Sequence, residues 1–380
     1  MTQTPTRVDT EIHLRSRLPS LTGLRFIAAF SVFGLHIMSG GIFSVSIVTN
    51  SYFAAWQAGA AGVSYFFVLS GFVLTWSSRT SDTTPRFWRR RFVKIFPNHL
   101  VTMGAAAIIL AWVLKQTLDG RSAILNMLLL QSYSPDLSVR SGYNPVAWSL
   151  SCEMLFYLLF PWLLRGIRRI RPERLWGWTI GTVAFIVALA AAAPLLPTQT
   201  PYPTLGLTDW SMWLVYQFPP ARLPEFVLGI LLARIVLTGQ RLPFGIRGAT
   251  LFVVVMGASL PLFPGTYRAV AVMALPLGLL IAASAANDVE GRRSWLASRL
   301  MIRLGELSFA FYLWHYLVIE AVRQWLGNPD YTWPPAEALG ITALLCMITL
   351  GLSWLLYQFV ERPMMRRFAS PRLAPSPMLR

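Results

Sequence analysis

The first apolar stretch of the chain carries two ionisable side chains inside a segment long enough to cross a lipid bilayer. It reads LPSLTGLRFIAAFSVFGLHIMS, from Leu18 to Ser39, and contains Arg25 and His36. An ionisable group in the hydrocarbon of a membrane is costly, so it is usually paired or functional. The stretch therefore predicts a membrane fold that has a partner or a use for both side chains.

Helical spacing places Arg25 and His36 on the same side of this segment. They are eleven residues apart, which at about 100° per residue is roughly 20° more than three full turns. They are separated by about 16 Å along the axis, with Arg25 near the membrane surface and His36 at depth. Two interpretations stay open: a functional pair, or an Arg25 that extends to the interface beside a hydrogen-bonded structural His36.

The composition is that of a polytopic helical membrane protein. Of the 380 residues, 55% are hydrophobic and only 13% are charged, and several apolar runs reach the roughly 20 residues that a spanning helix needs. The net charge of +17 comes mainly from arginines between the apolar runs, which the positive-inside rule explains without nucleic acid. The two cysteines lie in apolar segments and the four histidines are scattered, so we expect neither a disulfide framework nor a metal site.

The apolar runs predict an all-α bundle of about ten transmembrane helices in the cell membrane, with both termini in the cytoplasm. Residues 1–17 and 364–380 are predicted to be cytoplasmic tails around one transmembrane domain, residues 18–363. Residues 123–134 are apolar but too short to cross, so we expect a re-entrant or interfacial helix there. The predicted spans are Leu21–Phe43, Ala54–Ser77, Phe96–Lys115, a fourth from Asn144, Trp176–Leu195, Pro219–Leu237, Ala249–Phe263, Ala269–Ala286, Leu307–Leu326 and Ala338–Val360.

The densest cationic stretch lies between the second and third predicted spans. Residues 86–94 read RFWRRRFVK, with aromatic side chains between the basic ones, and Pro97 follows. The stretch is interpreted as a loop whose charge could simply fix the topology. Alternatively, its guanidinium groups could bind phosphate oxygens while its rings stack on a purine, which would suit a ligand such as coenzyme A.

Further ionisable residues lie inside the predicted spans. Glu153, about two turns into the fourth span, could orient an imidazole or could be a structural partner of a buried arginine or hydroxyl group. His315, about two turns into the ninth span, could contact a ligand or be a hydrogen-bonded structural histidine. Glu225 follows Arg222 by three residues, which favours a structural ion pair on one helix.

Six motifs follow one another along the chain: LPSLTGLRFIAAFSVFGLH, GVSYFFVLSGFVL, RRRFVKIFP, WSLSCEMLFYLLFP, RLPEFVLGILLA and LGELSFAFYLWH. Taken together and in this order, they resemble the acyltransferase-3 family of integral-membrane O-acyltransferases. The resemblance implies transfer of an acyl group from acyl-CoA, as co-substrate, to a hydroxyl group, usually on a sugar, within a ten-span bundle and without a further cofactor. Within the family, the chain looks most similar to the actinobacterial macrolide O-acyltransferases, which acylate the lactone ring or its mycarose sugar in antibiotic biosynthesis.

The resemblance also implies roles for the matching residues: an essential pair in the first span, a cytoplasmic donor-side motif and an active-site acid. Lys94 departs from the family pattern, because arginine often stands there and lysine lacks the bidentate fork. The predicted catalytic residues are His36, Glu153 and Arg25, and the predicted donor-binding residues are Arg25, Arg89, Arg90, Arg91, Lys94 and His315.

These residues support one mechanistic hypothesis and leave rival functions open. Acyl-CoA would dock from the cytoplasm with its phosphates on Arg25 and residues 89–94. A neutral His36 would take the proton of the acceptor hydroxyl, or would carry the acyl group in a two-step variant. One rival is O-acetylation of a cell-envelope polysaccharide or lipid-linked sugar. The other is a transporter or flippase, although the sequence shows no internal repeat of the kind seen in inverted-repeat transporters.

Overall fold

The computed structural model describes residues 18–43, 45–79, 82–197, 201–202, 205–326 and 333–369. The predicted tail 1–17, and residues 370–380 of the second predicted tail, lie outside this part of the chain. Within it, the protein is a helical bundle with one short antiparallel hairpin, in which Pro201–Tyr202 (β1) pairs with Leu207–Thr208 (β2). The all-α class predicted from the apolar runs is confirmed.

The helices are numbered in chain order. They are α1 Pro19–Ser39, α2 Val45–Trp76, α3 Thr84–Ile108, α4 Gly120–Met127, α5 Leu137–Arg140, α6 Trp148–Arg168, α7 Leu175–Ala192, α8 Asp209–Met212, α9 Pro219–Leu237, α10 Ile246–Ser259, α11 Val272–Val289, α12 Arg299–Trp325, α13 Pro335–Leu356 and α14 Arg362–Met364. Short 3₁₀ or π-helical turns extend several of them, such as Ile109–Val113 after α3 and Pro145–Ala147 before α6.

Seven helices of the described chain are long and apolar enough to cross a membrane, which makes the protein multi-pass. Three more predicted spans coincide with α9, α10 and α12, which are not among those seven. Helix α9 carries three charged residues, and α10 with its last turn belongs to the shorter apolar helices. The total of ten crossings therefore stays a prediction. Helix α4 has eight residues, about 12 Å, and cannot cross.

Helix α3 begins at Thr84, about three turns before the predicted start at Phe96. The interpretation of residues 86–94 as a loop is therefore wrong, because the basic stretch forms the first turns of a helix. Pro85 lies in the first turn, where a missing N–H is tolerated. Helical spacing now separates the basic residues: Arg91 and Lys94 are neighbours on one face, whereas Arg90 points about 100° away from Arg91.

Glycines let the central helices approach each other closely. At the crossing of α2 and α9, a Cβ atom at Gly71 would lie 2.0 Å from the backbone oxygen of Phe226. At the crossing of α12 and α1, a Cβ atom at Gly305 would lie 1.9 Å from the backbone oxygen of Thr22. Small residues at such crossings allow the van der Waals contact that holds membrane helices together. The packing places α12 directly beside α1, and this pair of helices forms the middle of the candidate site.

Candidate active site

Two histidines form a hydrogen-bonded pair between α1 and α12. The Nδ1 atom of His36 lies 2.9 Å from Nε2 of His315, which is 279 residues away in the sequence. Nδ1 of His315 lies 2.7 Å from the carbonyl oxygen of Tyr312. His315 is fully buried and His36 is half-buried. The fold thus brings together two candidate histidines that lie in different predicted spans.

The partners of the two rings fix where their hydrogens lie. A carbonyl oxygen can only accept, so Nδ1 of His315 carries the hydrogen and Nε2 of a neutral His315 accepts. Nδ1 of His36 must then donate to His315, which leaves Nε2 of His36 without a hydrogen. This is the form of imidazole that can take a proton from a hydroxyl group.

A cavity of about 130 Å³ lies on the side of the histidine pair that faces the N-terminal ends of α1 and α12. Its lining includes Arg25 from α1, Arg91 and Lys94 from α3, and Glu153 from α6. We call it the cationic cavity. Neither Arg25 nor Arg91 forms an ion pair with a carboxylate of the described chain. Both guanidinium groups are therefore available to an anionic ligand.

Glu153 faces the basic residues of the cationic cavity and does not orient His36. Its Oε2 accepts a hydrogen bond of 2.9 Å from the hydroxyl group of Tyr157, and the Arg91 guanidinium lies 5.9 Å from the Tyr157 ring. The expectation that Glu153 would hold the imidazole is thus wrong, because His315 takes that place. The carboxylate instead offsets part of the positive charge of the cavity.

The predicted donor-binding residues do not all meet in the cationic cavity. Arg90 pairs with Asp82, and Arg89 is exposed on another face of α3. Lys94 lines the cavity but also pairs with Glu361 of the π-helical turn after α13. His315, predicted to contact the donor, is bound to His36 and is absent from the cavity lining.

A second and larger cavity, of about 550 Å³, lies toward the C-terminal ends of α1 and α12. We call it the acidic cavity, because Asp119 and Glu320 line it and no Lys or Arg does. Asp119 caps α4 by accepting from the backbone N–H of Ser122 at 2.7 Å, and the hydrogen bonds from Ser122 lower the pKa of Asp119. This cavity could not be predicted from the sequence, because its lining comes from separate helices and loops.

The histidine pair lies where the two cavities approach each other along α12. Tyr312 lines the cationic cavity, and Tyr316, one turn further along, lines the acidic cavity. His315 stands between them in the sequence, and the ring of His36 lies 5.2 Å from that of Tyr316 at an interplanar angle of 88°. Neither histidine lines either cavity, and the ring of Tyr316, which lines the acidic cavity, is the contact between that cavity and His36.

A third cavity, of about 230 Å³, lies where α3 begins and α6 ends. Its lining includes Arg79, Arg165 and Arg168, together with Phe87. The Phe87 ring is 5.8 Å from the guanidinium of Arg91, which belongs to the cationic cavity. The third cavity is therefore a second basic pocket, and its wall residue Phe87 also contacts a residue of the cationic cavity.

The predicted pair on α9 is confirmed and is structural. Nε of Arg222 lies 2.9 Å from Oε2 of Glu225, and both side chains are fully buried. The Arg222 guanidinium also lies 4.9 Å from the Phe67 ring. The two opposite charges offset each other and the two residues line none of the three cavities, so the pair is not counted with the candidate site.

Comparison with known proteins places these features in a family. The model of an acyltransferase domain, that of the acyltransferase-3 family, matches residues 18–358. Acyltransferase MdmB of Streptomyces mycarofaciens is 38% identical over 95% of this chain and 96% of its own. The exopolysaccharide production protein ExoZ of Rhizobium meliloti is 27% identical over 83% of this chain and 92% of its own.

A more distant relative is the O-acetyltransferase OatA of Staphylococcus aureus, which is 24% identical over 92% of this chain and 57% of its own. No solved structure matches the chain. The family model covers most of the chain, including both cavities beside the histidine pair. The protein therefore belongs to the acyltransferase-3 family of membrane O-acyltransferases.

Proposed function

We propose that the protein transfers an acyl group from acyl-CoA to a hydroxyl group of a macrolide antibiotic, on the lactone ring or its mycarose sugar. The observation that carries the proposal is the histidine pair, which leaves Nε2 of His36 without a hydrogen, between the residues of α12 that line the cationic and the acidic cavities. The macrolide as acceptor is supported by the motif likeness to macrolide O-acyltransferases and by the 38% identity to a Streptomyces acyltransferase.

The cationic cavity is proposed to hold the thioester end of the donor. Its volume of about 130 Å³ is well below the roughly 300 Å³ at which ligand pockets begin. The bulky nucleotide end would therefore extend beyond Phe87 to the third cavity, where Arg79, Arg165 and Arg168 can bind phosphate oxygens. Arg25 and Arg91, which line the cationic cavity, would then contact the part of the donor nearest the reaction.

In the transfer step, Nε2 of His36 takes the proton of the acceptor hydroxyl. The hydroxyl oxygen bonds to the thioester carbonyl carbon, the carbon–sulfur bond breaks, and the departing thiolate of CoA recovers the proton from His36. In a two-step variant, the acyl carbon first bonds to Nε2 of His36 as the carbon–sulfur bond breaks and CoA leaves as the thiolate. The acceptor oxygen then bonds to the acyl carbon, the carbon–nitrogen bond breaks, and the released Nε2 takes the hydroxyl proton and passes it to the thiolate.

Purified protein in lipid nanodiscs tests this proposal. Incubation with isotope-labelled acyl-CoA and a macrolide should add the acyl mass to the macrolide, as measured by mass spectrometry. His36→Ala should abolish the product while the protein keeps its elution volume and unfolding temperature. Ser31→Ala is the matched control, because Ser31 lies on the same helix and bonds only to the backbone oxygen of Ala28. Full activity of His36→Ala would refute the assignment of the base.

A cell-envelope polysaccharide or lipid-linked sugar is the second candidate acceptor. It is favoured by two relatives, one named as an exopolysaccharide production protein and the other as an O-acetyltransferase. Mass spectrometry of envelope glycan and of added macrolide from the same expressing cells separates the candidates. An acyl group that appears on glycan alone would replace the macrolide proposal.

A further inference from the structure

We infer that the acidic cavity is the acceptor site and that it favours acceptors that carry a cationic amine, such as an amino sugar, over neutral or anionic ones. The inference rests on the proposed function, because it assigns the second substrate of the same reaction. Three properties of the cavity carry it: its place beside His36, its size and its charge.

The place of the cavity gives an acceptor its own approach to the base. On α3, Lys94 lines the cationic cavity and Ala106 lines the acidic cavity. The two positions are about 18 Å apart along the helix axis. Along α12 the two cavities are only one turn apart, at Tyr312 and Tyr316. The two cavities therefore flank the histidine pair on opposite sides along α12, and Tyr316 of the acidic cavity contacts the His36 ring. An acceptor in the acidic cavity would approach the base past Tyr316 and would leave the cationic cavity to the donor.

The size and lining of the acidic cavity fit part of a large hydroxylated molecule. Its volume of about 550 Å³ lies within the roughly 300–1,000 Å³ of pockets that bind small organic molecules. The polar residues Ser138, Ser141 and Tyr143 line it together with apolar residues such as Leu110 and Leu118. This mixture suits a sugar ring that is attached to an apolar body.

The charge of the cavity selects among such acceptors. Asp119 and Glu320 are the charged residues in its lining, whereas the cationic cavity has three basic residues and one acidic residue. The hydrogen bonds from Ser122 lower the pKa of Asp119, which keeps this carboxylate ionised at neutral pH. Two carboxylates attract an ammonium group and repel phosphates. The phosphate-bearing donor and an amine-bearing acceptor would therefore be sorted into different cavities.

Glu320→Gln tests the charge selection directly. The KM for an amine-bearing macrolide should rise about fivefold, the loss expected for one partly exposed ion pair. The KM for the N-acetylated, neutral form of the same macrolide and the KM for acyl-CoA should not change. Glu337→Gln is the matched control, because Glu337 is exposed on α13 and does not line the cavity. An equal change for both macrolides, or no change for either, would overturn the selection of amines.

A binding measurement tests the place of the acceptor without requiring transfer. Leu118 is exposed in the cavity wall, so Leu118→Cys should react with a maleimide, measured against the parent chain. The macrolide alone should slow this reaction at least fivefold, and it should not protect Ser78→Cys in the third cavity. Absence of protection in a protein that acylates the macrolide would overturn the acceptor site. Protection in a protein that transfers no acyl group would support the site and overturn the proposed function.

Discussion

At the scale of single residues, the hydrogen bond to His315 is the side-chain contact that orients the His36 ring, beside a backbone hydrogen bond with Val32. His315→Leu removes the acceptor, so the His36 ring can flip or carry its hydrogen on Nε2. We expect kcat to fall on the order of 100-fold, within the range that a general base contributes. The KM for acyl-CoA should stay unchanged, because His315 does not line the cationic cavity. Steady-state kinetics of acyl transfer measure both quantities.

His315→Gln separates this positioning role from a purely structural one. The amide oxygen of glutamine can accept a hydrogen bond from Nδ1 of His36, so this variant should recover part of the lost kcat. Unfolding temperatures of both variants should be compared with that of the wild type. If both variants lost the same activity in proportion to a loss of folded protein, His315 would have only a structural role.

Arg90 and Arg91 are neighbours in the sequence but should differ in their effect on the donor. Arg91 lines the cationic cavity, whereas Arg90 pairs with Asp82. Arg91→Ala removes a charged hydrogen-bond donor and should raise the KM for acyl-CoA about tenfold, while Arg90→Ala should raise it less. Arg89→Ala, at an exposed position of the same helix, is the control. A selective rise in the KM for the acceptor would contradict the donor assignment of Arg91.

The sequence could predict the part of the site that depends on local geometry. The spacing of Arg25 and His36 predicts that both lie on the same side of one helix, and the structure shows that this side faces α12. The hydrogen bond between His36 and His315 could not be predicted, because it depends on the packing of helices far apart in the sequence. The wrong role for Glu153 has the same origin: its depth in α6 was known, but not which residues lie opposite it.

At the scale of helices, the crossing of α2 and α9 requires glycine on both sides. A Cβ atom at Gly229 would lie 1.9 Å from the backbone oxygen of Val68, and this oxygen cannot move without moving α2. Gly229→Ala should therefore lower the free energy of unfolding by about 1–3 kcal/mol, the usual cost of overpacking. The unfolding temperature in detergent, followed by tryptophan fluorescence, measures the change.

Gly181→Ala on α7 is the control for this prediction, because no atom lies within 4 Å of a Cβ atom placed there. It should leave the unfolding temperature unchanged or raise it, since alanine favours a helix more than glycine does. Equal unfolding temperatures for Gly229→Ala and the wild type would show that the two helices can separate at no cost, contrary to the close crossing.

Hydropathy alone does not predict where α3 begins. The apolar run begins near Phe96, so hydropathy predicts a loop for the basic residues before it. Arginine and lysine are good helix formers, however, and Pro85 suits a first turn. The helix therefore extends beyond the apolar run to Thr84. Because the basic residues lie in a helix, neighbouring side chains point in different directions. Arg91 therefore lines the cationic cavity and Arg90 does not.

At the scale of the whole molecule, the two ends of the bundle differ in charge. The third cavity, with its three arginines, lies at the end where α3 begins, and the acidic cavity lies at the end where α1 and α12 finish. The positive-inside rule predicts that the first end faces the cytoplasm. One exposed residue at each end can be used to measure this orientation. These residues are Glu173, in the basic segment after α6, and Ser138, in the wall of the acidic cavity.

Labelling of single cysteines in whole cells tests this orientation. A maleimide that cannot cross the membrane should label Ser138→Cys in intact cells, but Glu173→Cys only after the cells are permeabilised. The parent chain gives the background, because Cys152 is buried and Cys346 is half-buried. The reverse pattern would place the three arginines outside the cell, where acyl-CoA is not available. An inverted bundle would thus contradict the donor proposal as well as the predicted topology, even if every hydrogen bond at His36 were correct.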